Sequence, residues 1–469
     1  MSGQKDRIGL SEIRIDTDYA NDGNSAPVGE AVKRLEFQRE EVQKLIPTAD
    51  TEVQKGLEIA GISSNEFGKT PRVRREKLIE LAFQNPSLKD ALVRAAEVNE
   101  QESESEGEDD DGDEEFYTPA SEPLIKARRF LVRDSLARAR QRLQVERSAF
   151  HLHNTREIIE KRRLLNRSLA TFELEGSQIV AARPVSRVRL SPDQKLAVCG
   201  SWKGDLQVLD PGTLGIINSI ENAHQGKVGG LSWNSNSQLV ASGGGDNKVK
   251  VWQPKSQVAS AQFDGHEARV VDVKFHPSDR YLASASFDMT WRLWDVETQV
   301  ELQLQEGHAK EVYSLDFQCD GSLLCSAGLD SIARVWDLRS GQSLMTLEGH
   351  AKPIYAVSWS PNGHHLATGS GDGTVKVWDI RNSSTPASIM GHNNIVSDVQ
   401  FEKSTGQCLV SSSYDTTIGV FAADSWIKLA SLRGHSDKIL SVDIARGGTH
   451  LLSCGWDRSL KKWSLKNGQ

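Results

Sequence analysis

Three features of this sequence predict an all-β, seven-bladed propeller carried behind an α-helical, highly charged N-terminal region. Gly-His pairs recur at Gly265-His266, Gly307-His308, Gly349-His350, Gly391-His392 and Gly434-His435, after an Ala223-His224, and the histidines stand 42, 42, 42, 42 and 43 residues apart. Trp252, Trp294, Trp336, Trp378 and Trp463 keep the same period, with Phe421 standing in once, and Asp246, Asp288, Asp330, Asp372, Asp415 and Asp457 run between them. All eleven tryptophans lie from Trp202 onward, so the chain divides by composition alone. A fixed period of this length marks a repeat architecture, in which each unit buries its apolar face only by stacking on its neighbours.

Each copy reads as four short strands. "VVDVKFHPSDRYLASASFDMTWRLWDVETQVELQLQEGH" alternates apolar and polar residues and is broken by "HPSDR", "FDM" and "DVETQ", which are turn compositions. A degenerate copy comes first, at residues 185–210, with Lys203 in the aspartate position and Leu209 in the tryptophan position, which makes seven. The last copy ends after three strands. Residues 169–176 ("LATFELEG") match the outer strands "LMTLEG" and "LQLQEG" of other copies, so an N-terminal strand is expected to complete the last blade and remove two exposed edges. The propeller is placed at residues 168–469.

With its Trp294-Asp295, Trp336-Asp337 and Trp378-Asp379 dipeptides, this region of about 300 residues resembles the WD40 repeat family. The resemblance implies a buried hydrogen-bond chain in each blade, such as His266, Ser284, Asp288 and Trp294, or His350, Thr368, Asp372 and Trp378. Ser, His and Asp are also the residues of a hydrolase triad, but a set used six times is structural. The resemblance also puts the residue before each blade aspartate on the narrower top face. Gly245 and Gly371 hold two of those positions. Trp202, Phe287, Leu329, Tyr414 and Trp456 hold the rest and, with Tyr313 and Tyr355, form the expected partner-binding rim.

The N-terminal region reads differently. Residues 1–27 have the composition of a disordered tail. Residues 28–100 are helical in pattern. "VGEAVKRLEFQREEVQKLIP" sets Ala31, Leu35, Gln38, Val42 and Leu45 on one face and stops at Pro47. Asp50 can cap a second helix with Val53, Leu57 and Ala60 inside and Gly61 after its end. Thr70 and Pro71 suit the start of a third, whose stripe is Leu78, Leu81 and Ala82. Its first turns carry Arg72, Arg74, Arg75 and Lys77, where the helix dipole disfavours cations. That charge is either a solvated face or one presented to a partner.

Residues 101–117 are an acidic linker, "ESESEGEDDDGDEE" at 102–115, with Ser103 and Ser105 as candidate phosphorylation sites. Residues 118–167 form a basic helical arm, with thirteen Lys/Arg against four Asp/Glu over 126–167. Leu124, Leu131, Leu136, Ala139 and Leu143 make its apolar stripe, and Arg128, Arg129, Arg133, Arg138, Arg140 and Arg142 surround it. Arginine in preference to lysine suits bidentate forks on phosphate, so RNA or an acidic protein is the surface such an arm fits.

Residues 46–78, within a motif region of 46–82, resemble the small splicing-factor motif of the Prp-four family. The likeness is carried by Ile46-Pro47-Thr48, by Asp50 with Val53 and Leu57, and by Phe67-Gly68 followed by Pro71, Arg74, Arg75 and Leu78. The order of parts, motif then arm then seven blades, is the same. That resemblance implies a nuclear, non-catalytic scaffold of the U4/U6 small nuclear ribonucleoprotein and the U4/U6.U5 tri-snRNP in pre-mRNA splicing. Its expected partners are a Prp-three-type protein, a cyclophilin-type protein and U4/U6 snRNA, contacted directly or indirectly. Phe67, Arg72, Arg74, Arg75, Arg128, Arg129, Arg138 and Arg142 are the N-terminal contact candidates. The propeller alone equally suits an adaptor in another complex, such as a ubiquitin-ligase substrate receptor or a ribosome-assembly factor.

Several classes are disfavoured. The first residues contain no apolar signal core, and no stretch of eighteen apolar residues exists to span a membrane. Five scattered cysteines form no CxxC and no zinc-ligand spacing. No phosphate-cradling P-loop, HExxH or nucleophile elbow is present, so neither cofactor nor small-molecule substrate is expected.

Overall fold

The computed structural model describes Val53, Leu57, Arg74, residues 77–79, 81–82, 121–151, 154–423 and 425–466. The chain divides into two units, Met1–Pro119 and Ala120–Gln469. In the first, helical Val53 and Leu57 pack with helical Leu78, Ile79 and Ala82, with Leu81 at the margin. The inner faces expected of the second and third helices thus meet each other, and Ile79 joins them. Ala60 and the helix expected before Pro47 lie outside the described residues.

The second unit begins with helices α1 (Glu122–His151) and α2 (Thr155–Leu169). Seven four-stranded antiparallel sheets follow. Blades 1 to 6 take their strands in chain order within residues 185–220, 228–263, 270–305, 312–347, 354–390 and 396–433. Blade 7 is made of Ile439–Ile444, His450–Gly455, Ser459–Leu465 and, on its outside, Phe172–Ile179. The ring is therefore closed by the first strand among the described residues. Phe172 pairs with Leu465, Leu174 with Trp463 and Ile179 with Ser459. This strand starts three residues later than the sequence pattern suggests. Leu169 ends α2 and goes into the blade core instead, because the helical pattern of "LLNRSL" continues to the Ala170 cap. Glu173 and Glu175 keep the new edge charged, which discourages pairing with other chains.

Inter-blade polar contacts hold neighbouring inner strands in step. Asp272 of blade 3 accepts from Ser314 Oγ of blade 4 at 2.9 Å, and Asp316 of blade 4 accepts from Trp359 N–H of blade 5 at 2.8 Å. At the closing seam Asp443 of blade 7 accepts from Leu190 N–H of blade 1 at 2.7 Å. The densest node is the buried Asp398 of blade 6. It takes Arg189 Nη1 at 2.9 Å and Arg187 Nη1 at 3.3 Å from blade 1, and Ser441 Oγ at 2.6 Å from blade 7. Burial alone would raise its carboxyl, but the two guanidinium groups hold it well below the usual carboxylate range.

Candidate functional site

The repeated polar chains come first, because they position everything above them. His266 Nδ1 lies 2.7 Å from Asp288 and its Nε2 2.6 Å from Ser284 Oγ, which also accepts from Trp294 Nε1 at 2.8 Å. In blade 5, His350 stands 3.0 Å from Asp372 and 2.8 Å from Thr368, whose hydroxyl accepts from Trp378 at 2.9 Å. His224, His308 and His435 repeat the arrangement. Phe421 of blade 6 has no donor, and there Thr417 Oγ1 comes within 3.1 Å of His392. Blade 1 replaces the chain with Cys199 and Leu209, both buried, beside Ala181. Removing every polar member at once leaves none unsatisfied, so the loss costs little. In the complete sets both imidazole nitrogens are engaged and the hydroxyl is buried, which suits bracing rather than nucleophilic attack.

These sets have a pH consequence. Burial would raise the blade aspartates, yet the bonds from their histidines and neighbours hold them low, Asp246 at about 2 and Asp288, Asp330, Asp372, Asp415 and Asp457 likewise below the ordinary range. Burial also depresses His276, to about 4, together with His350, His364 and His450. Both kinds of shift mean that the unfolded chain binds more protons, so stability is lost as pH falls. The thermal midpoint should be level above the unfolded histidine value of about 6.5 and drop toward pH 4. It should then drop again below the unfolded aspartate value of about 3.9. A midpoint that rises on acidification from pH 6 to pH 3 would contradict this assignment.

The top face is built by a bulge repeated in every innermost strand. Pairing to the second strand skips one residue between Val185 and Arg187, Val270 and Asp272, Val312 and Ser314, Ile354 and Ala356, Val396 and Asp398, and Ile439 and Ser441. A bulge re-aims the residue it leaves unpaired. The re-aimed residues are Ser186, Val271, Tyr313, Tyr355, Ser397 and Leu440, and all six line a cavity of about 230 Å³ at the mouth of the central channel. In blade 2 the slip covers Gly229 and Gly230, where a Cβ would run into the backbone of blade 3.

Around this mouth, one hydrogen bond recurs in all seven blades. The residue before the blade aspartate position donates its N–H to the carbonyl of the residue before the first strand. The pairs are Trp202 to Pro184, Gly245 to Lys227, Phe287 to Arg269, Leu329 to Glu311, Gly371 to Pro353, Tyr414 to Ile395 and Trp456 to Lys438. The expected rim positions are thereby set against the channel mouth. Trp202 packs edge-on against Trp456 at 5.1 Å and Tyr313 edge-on against Tyr355 at 5.0 Å, while Phe287 meets Tyr313 at a tilt at 6.2 Å. Trp202, Tyr313, Tyr355 and Tyr414 line the cavity; Trp456 is the most exposed of the rim aromatics, and Leu329 shares the ring position without reaching the cavity. Burial pushes the Tyr414 hydroxyl up to about 12, so it stays a neutral hydrogen-bonding group.

Sequence reading missed the cations. Lys227 lies over the Trp202 ring at 3.7 Å, Arg269 over Phe287 at 3.8 Å, and Lys438 over Trp456 at 4.7 Å and Tyr414 at 5.4 Å. Each precedes its blade's first strand by one residue, a position that holds Pro184, Glu311, Pro353 and Ile395 in the other blades. Apolar rings carrying fixed positive charge suit an anionic or carbonyl-rich segment of a partner.

The N-terminal candidates are distributed differently from expectation. Phe67, Arg72 and Arg75 lie outside the described residues, and Arg74 is helical and half-buried. The basic arm is two helices packed on the propeller, with Asn154 accepting from Arg156 N–H at the start of α2. Leu124, Ala127 and Leu131 of α1 bury against Tyr281, Leu302 and Leu338, whereas Leu136 and Leu143 of the expected stripe are exposed. That rotation carries Arg138 and Arg142, seven and eleven residues after Leu131, toward the propeller side. Arg142 binds Asp320 through Nη2 at 2.6 Å and the Asn362 carbonyl at 2.9 Å, stitching blade 4 to blade 5, and the Asp320 bond raises its already high pKa further. Arg138 pairs with Asp134 at 2.8 Å, and Arg128 reaches Gln303 at 3.5 Å. Of the four, Arg129 is the one that faces solvent.

Seven blades, five of them braced by complete His–Ser/Thr–Asp–Trp chains, under an aromatic, cation-studded mouth define a WD40 propeller. The family described as "WD domain, G-beta repeat" matches residues 216–253, 257–295, 299–337, 341–379 and 426–464, passing over the two copies whose tryptophan position holds Leu209 and Phe421. Along nearly its whole length the chain is similar to the U4/U6 small nuclear ribonucleoprotein PRP4 of Saccharomyces cerevisiae, 42% identical over 97% of this chain and 99% of the yeast protein. The chain belongs to the PRP4 family of WD40-repeat proteins. It is also 36% identical, over 47% of each chain, to the uncharacterized WD repeat-containing protein C227.12 of Schizosaccharomyces pombe. Polycomb protein esc of Drosophila melanogaster is 34% identical over 15% of this chain and 17% of its own.

Proposed function

We propose that this chain is a nuclear, non-catalytic scaffold of the U4/U6 small nuclear ribonucleoprotein and the U4/U6.U5 tri-snRNP in pre-mRNA splicing. The observation that carries this reading is the 42% identity with the yeast protein over 97% of the chain, which includes the N-terminal motif as well as the propeller. The mouth seats a segment of a partner protein on Trp202, Phe287, Tyr313, Tyr355, Tyr414 and Trp456, with Lys227, Arg269 and Lys438 holding its carboxylates or carbonyls. A Prp-three-type protein and a cyclophilin-type protein are the expected partners. U4/U6 snRNA is held directly by the N-terminal motif or through those proteins.

The test is to purify tagged full-length chain from cells and sequence the RNA and proteins that accompany it. U4 and U6 RNA should be enriched. Ubiquitin-ligase or ribosome-assembly subunits in their absence would overturn the reading. In the same preparation, Trp456→Ala with Lys438→Glu should deplete one protein partner at least about tenfold, the effect of losing about 1.4 kcal/mol of binding. Unchanged recovery of every partner would remove the mouth from the proposal.

A further inference from the structure

Helix α1 carries two apolar lines, and the propeller covers one of them. Leu124, Ala127 and Leu131 are buried against blades 3 and 4. Ile125, Val132, Leu136 and Leu143 stand 40%, 37%, 58% and 44% exposed. They fall at i, i+7, i+11 and i+18, which at 3.6 residues per turn puts them within about 20° of one line some 27 Å long. Arg129, Arg133, Arg140 and Arg147 run along one flank of that line, all exposed, and none of them has an ion-pair partner among the described residues. The opposite flank carries Ala139, the half-buried Arg128, which reaches Gln303 at 3.5 Å, and Glu146, already paired to Arg142 at 3.2 Å.

We infer that this face of α1 is a docking site for an amphipathic helix of a partner protein, one whose apolar stripe is bordered by Asp and Glu. Three observations fix the occupant. The line has the spacing of helix-on-helix packing rather than of a flat patch. Its exposed arginines without an ion-pair partner among the described residues lie on one side, so a complementary helix carries acid on its matching flank and docks in one orientation. The seat is rigid before binding, because Leu131 and the Arg142–Asp320 ion pair already fix α1, so little ordering cost is left. RNA would satisfy the arginines but leave the apolar line in water. The chain's own acidic segment at 102–115 contains no apolar residue to cover that line. This site is separate from the channel mouth and does not depend on which complex the mouth serves.

The test places a photoreactive phenylalanine analogue at position 136 in the full-length chain in cells, and maps the crosslinked peptide by mass spectrometry. The expected product is a crosslink to another protein, in a segment with apolar residues at i, i+3 or i+4 and i+7 and flanking Asp or Glu. A second arm measures recovery of that protein with Leu136→Glu and, separately, with Arg129→Glu plus Arg140→Glu. Both should lower it at least about tenfold, with the thermal midpoint unchanged since neither set touches the propeller. Crosslinks to RNA, to residues 102–115, to a second copy or to a segment without that pattern would overturn the inference, as would the absence of any crosslink. Full recovery with either variant would do the same.

Discussion

Asp398→Asn should destabilise the propeller by about 3–5 kcal/mol, the cost of leaving a buried charge without its counter-ion. The substitution keeps the side-chain volume and removes the negative charge that two guanidinium groups share. Arg187 and Arg189 are both buried, and Arg189 also bonds Ser441 and the Val442 carbonyl. Each is only about 5% exposed where it stands. At roughly 2–4 °C per kcal/mol for a domain of this order of size, the midpoint should fall by on the order of 10 °C. Adding Arg187→Met and Arg189→Met should restore much of the loss, because apolar groups of similar length need no counter-ion. Circular dichroism melts of the single and triple variants give the answer. A single variant within about 2 °C of the parent would show that water reaches the site and that it is not a closed ionic node.

The second large effect concerns the closing strand. Phe172 is buried with Leu169, Ile418, Leu432 and Trp463, and Phe172→Ala should cost about 3–5 kcal/mol. Deleting residues 168–180 should do more. It exposes the whole length of Ser459–Leu465 as an unpaired edge and empties part of the blade 7 core. The expected outcome is a chain that accumulates as aggregates or exchanges strands with other copies. Size-exclusion chromatography of the deletion chain, with and without an added peptide of residues 168–180, separates these. A monomeric deletion chain that melts like the parent would mean that three strands suffice for blade 7.

Where the sequence was informative, a column of the repeat carried the information. The His, Asp and Trp columns give blade number and phase because each histidine binds both the aspartate and a hydroxyl, and that hydroxyl also takes the tryptophan N–H. Trp202, Phe287, Tyr414 and Trp456 could be placed beside the channel mouth because each stands one residue before the aspartate column. Lys227, Arg269 and Lys438 could not, because the other blades put Pro184, Glu311, Pro353 and Ile395 in their column and no consensus stands out. The α1 stripe was misread because periodicity reports which residues are apolar, not which of two lines meets a neighbour. Leu131 and Leu136 are equally apolar, and only Tyr281 and Leu302 decide between them. The boundary at Leu169 was three residues early because "LATFELEG" is strand-like by composition while α2 was still able to continue.

The closing strand also sets a timetable. Glu173 and its partner Lys466 are 293 residues apart in the chain. Synthesis at about 5–20 residues per second leaves the strand waiting roughly 15–60 s for its partner after it leaves the ribosome. Through that interval six blades can form but the ring cannot shut. Its seam is the last contact made and spans nearly the whole domain in sequence, which is the slowest kind of pairing. A chain that stopped before Ser459 would lack Trp463 and the strand that receives Phe172. Closure therefore reports that synthesis has passed Leu465, the residue that pairs with Phe172.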